Sequence, residues 1–244
     1  KETAMSEFTE KFLTAMCRNG LEKFADEKLA GRFEALTDRM LEVNAHMNLT
    51  AITDTDGIIV KHYVDSLAVS DHIPEGSEII DIGCGAGFPS LPLAIARPDL
   101  KITALDSTAK RINYINETAA MLRLGNLTAI SARAEELSHD PDYREKYDVA
   151  VARAVARLNV LSELCVPYVK KGGIFIAMKA HAADEVQEAE NAISKLGGKT
   201  AKVIDFTLDA GDEHLPRVFV IVSKVKNTPD NYPRNNSQIT KKPL

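Results

Sequence analysis

From Glu78 to Val222 the chain alternates short apolar runs with amphipathic helical stretches, and that alternation leaves few architectures open. Glu78–Ile82, Lys101–Leu105, Leu127–Ser131, Tyr147–Ala152 and Ile174–Met178 read as buried strands. Between them lie helical patterns over Pro89–Ala96, Thr108–Leu124 and Leu158–Val169, with Pro98, Gly125 and the Gly172-Gly173 pair marking ends and turns. A strand that runs parallel to its predecessor needs such a crossover. After a further helix, Ala182–Leu196, come strands Lys202–Leu208 and Val218–Val222. Their link is too short for a helical crossover, so they should pair as a hairpin. The expected fold is an α/β, doubly wound, seven-stranded, mostly parallel sheet with a closing antiparallel pair. That order differs from a plain dinucleotide-binding sheet, which is usually all parallel.

Ahead of this unit, residues 5–75 are helical in pattern and form an N-terminal helical extension expected to pack on the core. Phe24, Leu29, Phe33, Leu36, Met40 and Val43 recur at three- and four-residue steps and give one apolar face. Asn44–Thr53 breaks the pattern, and a second helix should cover about Asp56–His72. Residues 1–4, ahead of Met5, are set aside as an added remnant. Residues 76–226 make the sheet domain, and 227–244 read as a basic, irregular tail rich in Pro and Asn.

No apolar run approaches the ~20 residues needed to span a bilayer, so a cytoplasmic protein is expected. Cys17, Cys84 and Cys165 are too far apart for a zinc or redox motif and read as reduced packing residues; no metal site is expected. Net charge is −5, which argues against a simple nucleic-acid-binding surface. Its distribution is uneven: residues 224–244 carry five Lys and Arg against Asp230 alone.

The most informative segment is Asp81-Ile82-Gly83-Cys84-Gly85-Ala86-Gly87-Phe88-Pro89. It leaves a strand and opens a helix, where open α/β sheets bind ligands. Gly83 and Gly85 permit positive φ and close approach of a ligand to the backbone. A dinucleotide loop would carry glycine where Phe88 stands. Asp81 at the strand end would repel a pyrophosphate and attract an ammonium group. Asp106 follows Gly85 by about 20 residues, a spacing that sets a carboxylate over ribose hydroxyls, although an N-cap would also explain it. Charge and spacing favour S-adenosylmethionine over a nicotinamide dinucleotide. Arg133-Ala134-Glu135-Glu136, after the third strand, could meet an adenine edge or be a solvated turn.

Two chemistries lack their residues. Methylation of an exocyclic base amine usually uses an Asn- or Asp-Pro-Pro-aromatic motif after the fourth strand, where this chain reads Ala152-Arg153-Ala154-Val155. Methylation of a pyrimidine carbon needs a nucleophilic cysteine, and neither Cys84 nor Cys165 is well placed. The acceptor should be an atom that is already nucleophilic and carries no proton, such as guanine N7. No catalytic side chain is then assigned, because no general base is required.

These segments resemble the glucose-inhibited division B family, the small-ribosomal-subunit methyltransferases G. The resemblance rests on Asn48-Leu49-Thr50, His62-Tyr63-Val64-Asp65-Ser66-Leu67, the glycine loop, Leu105-Asp106-Ser107 with Lys110-Arg111, Arg133–Glu136, Ala152-Arg153-Ala154, Met178-Lys179, Leu215-Pro216-Arg217 and Lys241-Lys242-Pro243-Leu244. It implies a class I S-adenosylmethionine-dependent methyltransferase fold and N7 methylation of a guanine in small-subunit ribosomal RNA, free or within a ribosomal particle. It also implies cofactor contacts at Gly83, Phe88, Ala134, Glu135 and Arg153. Cys84 and Ala86 in the loop and Ala180 after Lys179 are small departures. Arg153, Lys179 and Arg217 lie near strand ends and are candidates for holding RNA, with His62 a candidate for RNA contact or helix packing. A monomer is expected. A protein or small-molecule methyltransferase, expected to have an acidic rim, and a non-catalytic cofactor-binding module are the competing readings.

Overall fold

The computed structural model describes residues 5–244; residues 1–4, read as an added remnant, lie outside the described residues. The N-terminal extension opens with helices α1 (Glu7–Arg18) and α2 (Glu27–Met47). Each begins at an oxygen-bearing cap: Thr9 N donates to Ser6 Oγ at 3.1 Å and Leu29 N to Asp26 Oδ1 at 2.9 Å. Asn48 closes α2 in the left-handed conformation. The pattern from Phe24 onward is α2, but Phe24 itself sits in a separate 3-10 turn, and α1 was not expected as its own helix.

The expected helix over Asp56–His72 is instead four joined pieces. These are α3 (Thr55–Ile58), a π-helical stretch (Ile59–Val64), α4 (Asp65–Leu67) and a 3-10 turn (Ala68–His72). Ile58, Ile59, Val60, Tyr63, Val64 and Leu67 are all buried in this segment. Its few polar residues therefore have few directions to face. A widened π turn is a known way to re-aim side chains along an otherwise regular helix.

Seven strands form one sheet: β1 (Glu78–Ile82), β2 (Lys101–Asp106), β3 (Leu127–Ser131), β4 (Tyr147–Arg153), β5 (Val169–Lys179), β6 (Gly198–Asp209) and β7 (His214–Lys224). Their order is β3-β2-β1-β4-β5-β7-β6. β1 to β5 pair in parallel, and β7 runs antiparallel between β5 and β6. The hairpin and the mostly parallel sheet are as expected. Three strand starts are not: β5 begins at Val169, so Gly172 and Gly173 interrupt the strand rather than precede it, and β6 and β7 begin at Gly198 and His214, ahead of the expected Lys202 and Val218. The pairing of β5 with β4 jumps from Val169 to Ile174, the mark of a bulge.

Alternate strand residues feed two cores, as period-two geometry requires. Val149, Val151, Ile176 and Phe219 face a core shared with α5 (Ser90–Ala96), α6 (Ala109–Met121) and the N-terminal extension. Ala150, Ala152, Phe175 and Val220 face the other core. That side is covered by α8 (Leu158–Cys165) and α9 (Ala183–Lys195), with the short α7 (Ala134–Leu137) beside them. The extension thus completes one helical layer. Asn19 also ties it to the hairpin, through Nδ2 to Asp209 O (3.0 Å) and Asp209 N to Oδ1 (2.8 Å).

The tail is more ordered than its composition implied. Asn235 caps α10 (Asn236–Lys241), and Arg234 grips Glu163, a carboxylate with no solvent exposure, through Nε (2.9 Å) and Nη2 (2.7 Å).

Candidate active site

The glycine loop leaves β1 with its backbone anchored to β2: Gly83 N and Cys84 N both donate to Leu105 O, at 2.8 and 3.1 Å. Gly83 and Gly85 take φ of +73° and +57°, the left-handed region that side chains disfavour. A Cβ on Gly85 would meet nothing closer than Gly83 O at 4.0 Å, so the loop offers bare backbone there.

Asp106, at the end of β2, accepts from Gly85 N (Oδ2, 3.0 Å) and from Thr108 N (Oδ1, 2.8 Å). The carboxylate both fixes the loop and starts the turn into α6, so the capping role is real. It still lines a cavity, and a carboxylate has about four acceptor sites, of which two are used. Glu135 lines the same cavity and is mostly buried, with Arg133 Nη1 at 3.7 Å. Ala134 is held from behind by Tyr168, whose hydroxyl donates to its carbonyl at 2.7 Å.

Asp81 is placed differently from the expectation. It is 1% exposed and does not line the cavity. Its Oδ2 accepts from Ser90 Oγ (2.5 Å) and Ser90 N (3.2 Å), while Oδ1 is buried with no protein partner among the described residues. Burial pushes its pKa up to about 6, and the Ser90 bonds and Arg153 oppose the rise. Asp81 therefore holds the start of α5.

Arg153, at the end of β4, donates through Nη1 to Asp65 Oδ2 (2.8 Å) and Lys61 O (3.1 Å). Arg217 on β7 donates through Nε to Asp65 Oδ1 at 2.8 Å. Lys179, at the end of β5, donates to Ala156 O (2.9 Å) and lies 3.0 Å from Glu185. His62 stacks on Phe88 with ring centres 4.5 Å apart and planes 9° from parallel. The Arg153 guanidinium lies 5.4 Å from the same ring. Phe88 thus fills the place of a dinucleotide glycine with a packed aromatic. Burial, and then Arg153, lower the His62 pKa to about 4, so the ring is neutral.

All of these groups except Asp81 share one cavity of about 1050 Å³ above the carboxyl ends of the parallel strands. Sheet order explains its polarity. Asp106 and Glu135 follow β2 and β3 on one side of β1, while Arg153, Lys179 and Arg217 belong to β4, β5 and β7 on the other. The cavity straddles β1 and β4, where the order reverses, the usual ligand crevice of such sheets. Six Lys and Arg line it against four acids, the reverse of the chain's overall negative balance.

Asp65 and Glu185 were missed as site residues. Asp65 had a signal, the one acid in the mostly apolar run from Ile58 to Ser70. Cys84 and Cys165 are buried, and burial raises both thiols well above the ordinary cysteine range; Cys17, expected as a packing residue, is exposed.

The sequence model of GidB, rRNA small subunit methyltransferase G, matches residues 30–215. The chain belongs to this family. Among relatives, the ribosomal RNA small subunit methyltransferase G of Acetivibrio thermocellus is 44% identical over 220 residues, covering 90% of each chain. That of Lysinibacillus sphaericus is 43% identical over 239 residues, covering 96% of this chain and 98% of the relative. The GidB resemblance drawn from the motifs is thereby met. Solved structures share the fold at low identity. TYW2 of M. jannaschii, in complex with AdoMet, gives a TM-score of 0.54 at 15% identity, over 72% of this chain and 80% of that one. A SAM-dependent methyltransferase of Methanosarcina mazei gives 0.52 at 15%, over 65% and 97%. This GidB member therefore has the class I S-adenosylmethionine-dependent methyltransferase fold. No helix among the described residues is long and apolar enough to cross a membrane.

Proposed function

We propose that this GidB member transfers a methyl group from S-adenosylmethionine to N7 of a guanine in small-subunit ribosomal RNA, in the cytoplasm and as a monomer. The observation that carries the reading is the polarity of the cavity. The glycine loop lies with Asp106 and Glu135, beside Arg111 and Arg133, toward β2 and β3, whereas toward β4, β5 and β7 Lys61, Arg153, Lys179 and Arg217 outnumber Asp65 and Glu185, with Arg153 also reaching the loop at Phe88. The alternative, a methyltransferase on a protein or small molecule, called for an acidic rim, and this rim has an excess of cations.

The residues present suit the cofactor. Gly83 and Gly85 offer backbone without side chains, and Phe88 forms an apolar wall. Asp106 retains acceptor sites for ribose hydroxyls, and Ala134 and Glu135, which line the same cavity, would meet the adenine edge. Asp81 contributes by holding the start of α5, which follows the loop. When bound, S-adenosylmethionine supplies an electrophilic methyl group on a positively charged sulfur. The protein's task is to present guanine N7 in line and to exclude water. N7 carries no proton, so no side chain need remove one. Alignment and local electrostatics carry the rate. The cysteines add support by default: with both buried thiols held protonated, a pyrimidine-carbon mechanism has no nucleophile here.

Labelled methyl from S-adenosylmethionine, offered to small subunits, large subunits and a protein extract, should appear in small-subunit RNA. Label confined to protein or to small molecules would favour the alternative, and cofactor binding without any transfer would mark a non-catalytic module.

A further inference from the structure

Asp65 is the one acid on the cationic side of the cavity that two arginines share. Its carboxylate is 8% exposed, and each oxygen accepts one guanidinium N–H at 2.8 Å, from Arg153 and from Arg217. The three residues come from the N-terminal extension, β4 and β7 respectively. One carboxylate neutralises one guanidinium, so the triad keeps a surplus of one positive charge where it meets the cavity. A half-buried ion triad is a poor device for stability, since desolvation of the charges offsets their attraction. A fixed pair of guanidinium forks, in contrast, matches the geometry of a phosphate. Arg153 uses only Nη1, and Arg217 uses Nε and Nη1, the latter on its own neighbour Pro216 O at 2.9 Å. Their remaining N–H groups have no protein partner among the described residues and are not among the buried unsatisfied atoms, and both residues line the cavity, Arg217 also the neighbouring groove beside Phe206 and Pro216. The polar neighbours of the triad are already engaged. Lys61 reaches Glu213 at 3.2 Å, and His62 is turned to Thr50 Oγ1 at 2.8 Å.

We propose that Asp65 is a positioning residue: it holds Arg153 and Arg217 at a fixed spacing so that their outward N–H groups grip one RNA phosphate at the cavity mouth. The inference rests on the functional reading above and gives the N-terminal extension a part in the substrate site. Asp65 touches no reacting atom; it acts through the two arginines.

The test turns on the sign of an effect. Asp65→Asn makes the protein more basic by one charge. If the arginines form only a diffuse basic patch, RNA binding tightens. If their spacing matters, binding weakens in spite of the added charge. Affinity for small-subunit ribosomal RNA is measured at several salt concentrations for the wild type, Asp65→Asn, Arg217→Gln and Arg217→Lys, with S-adenosylmethionine affinity measured beside it. Asp65→Asn should lose about fivefold or more in RNA affinity, and Arg217→Lys should bind as poorly as Arg217→Gln, because a lysine keeps the charge and loses the fork. With a turnover assay, KM for RNA should rise more than kcat falls. Unchanged or tighter RNA binding by Asp65→Asn overturns the proposal, as does a loss confined to cofactor affinity. If Asp65→Asn does not fold, the Arg217 pair decides: a lysine variant equal to the wild type overturns it. Wild-type protein that fails to bind or methylate this RNA while holding S-adenosylmethionine sinks the functional reading and this proposal with it. A failure of the variants alone sinks only the proposal.

Discussion

At the scale of single residues, His62 shows how burial sets chemistry. Its ring lies flat on Phe88, Nε2 meets Thr50 Oγ1, and Nδ1 is buried without a partner among the described residues. Burial lowers its pKa from 6.5 to about 4, and Arg153 adds to that. The folded state then resists a proton that the unfolded chain accepts. Above pH 6.5 both states are neutral and the group has no effect on the balance. As pH falls from 6.5 toward 4 the unfolded chain gains protons first, and stability drops by roughly 3 kcal/mol in all. His62→Phe should remove that part of the acid sensitivity. Thermal melting of the two proteins at pH 7.5 and 4.5 measures it, and an equal pH dependence would refute the account. Asp106 offers a second check. Asp106→Ala removes the acceptor of Gly85 N and Thr108 N together with the ribose acceptor. Cofactor affinity should fall about 10- to 100-fold, the equivalent of one or two charge-assisted hydrogen bonds. Arg217→Ala should leave that affinity within about twofold while weakening RNA use, because phosphate contacts are made without the cofactor.

At the scale of elements, the glycine loop works because three pieces of chain converge on it: the end of β1, the end of β2 and residues 154–155 after β4. Gly83 has φ +73°, and a Cβ there would meet Val155 Cγ2 at 2.8 Å. Gly83→Ala should therefore cost about 1–2 kcal/mol from backbone strain, plus the shift of Val155. Denaturant unfolding reads the stability loss, and a calorimetric titration with S-adenosylmethionine should show weaker binding. Elements of this kind were legible in the chain. Buried parallel strands are near-continuous apolar runs, so Glu78–Ile82 stands out at its true bounds, and the edge strand Leu127–Ser131 does so by its alternation. Glycine spacing after β1 and the acid after β2 are local signals and survive into the structure. What stayed hidden is non-local. Asp65 and Arg217 are separated by 152 residues, and no spacing rule reveals that their side chains pair. The Gly172-Gly173 pair misled because a bulge inside a strand and a turn before it use the same residues. The π-helical stretch at Ile59–Val64 misled too, since a segment buried at every residue but Lys61 has no clear amphipathic period to read.

At the scale of the whole molecule, both ends of the chain are tied to the sheet domain. The extension completes a helical layer and delivers His62 and Asp65 to the cavity, and the tail is strapped down by Arg234 on Glu163. Arg234→Ala leaves that buried carboxylate without a cation, bonded only to the backbone N–H of residue 234 at 2.8 Å, which should cost about 3 kcal/mol. Calorimetric melting checks this, and an unchanged melting temperature would show that the tail contributes little. The acidic net charge remains compatible with an RNA substrate because the cations are concentrated where the sheet order reverses. The central claim concerns the atom that is methylated. Small subunits lacking the modification should be incubated with the protein and labelled S-adenosylmethionine, and their RNA digested to nucleosides. The account predicts that all the label migrates as 7-methylguanosine. Label in a methylated exocyclic amine or a pyrimidine carbon would contradict it, since this cavity has neither the motif nor the thiolate for those reactions.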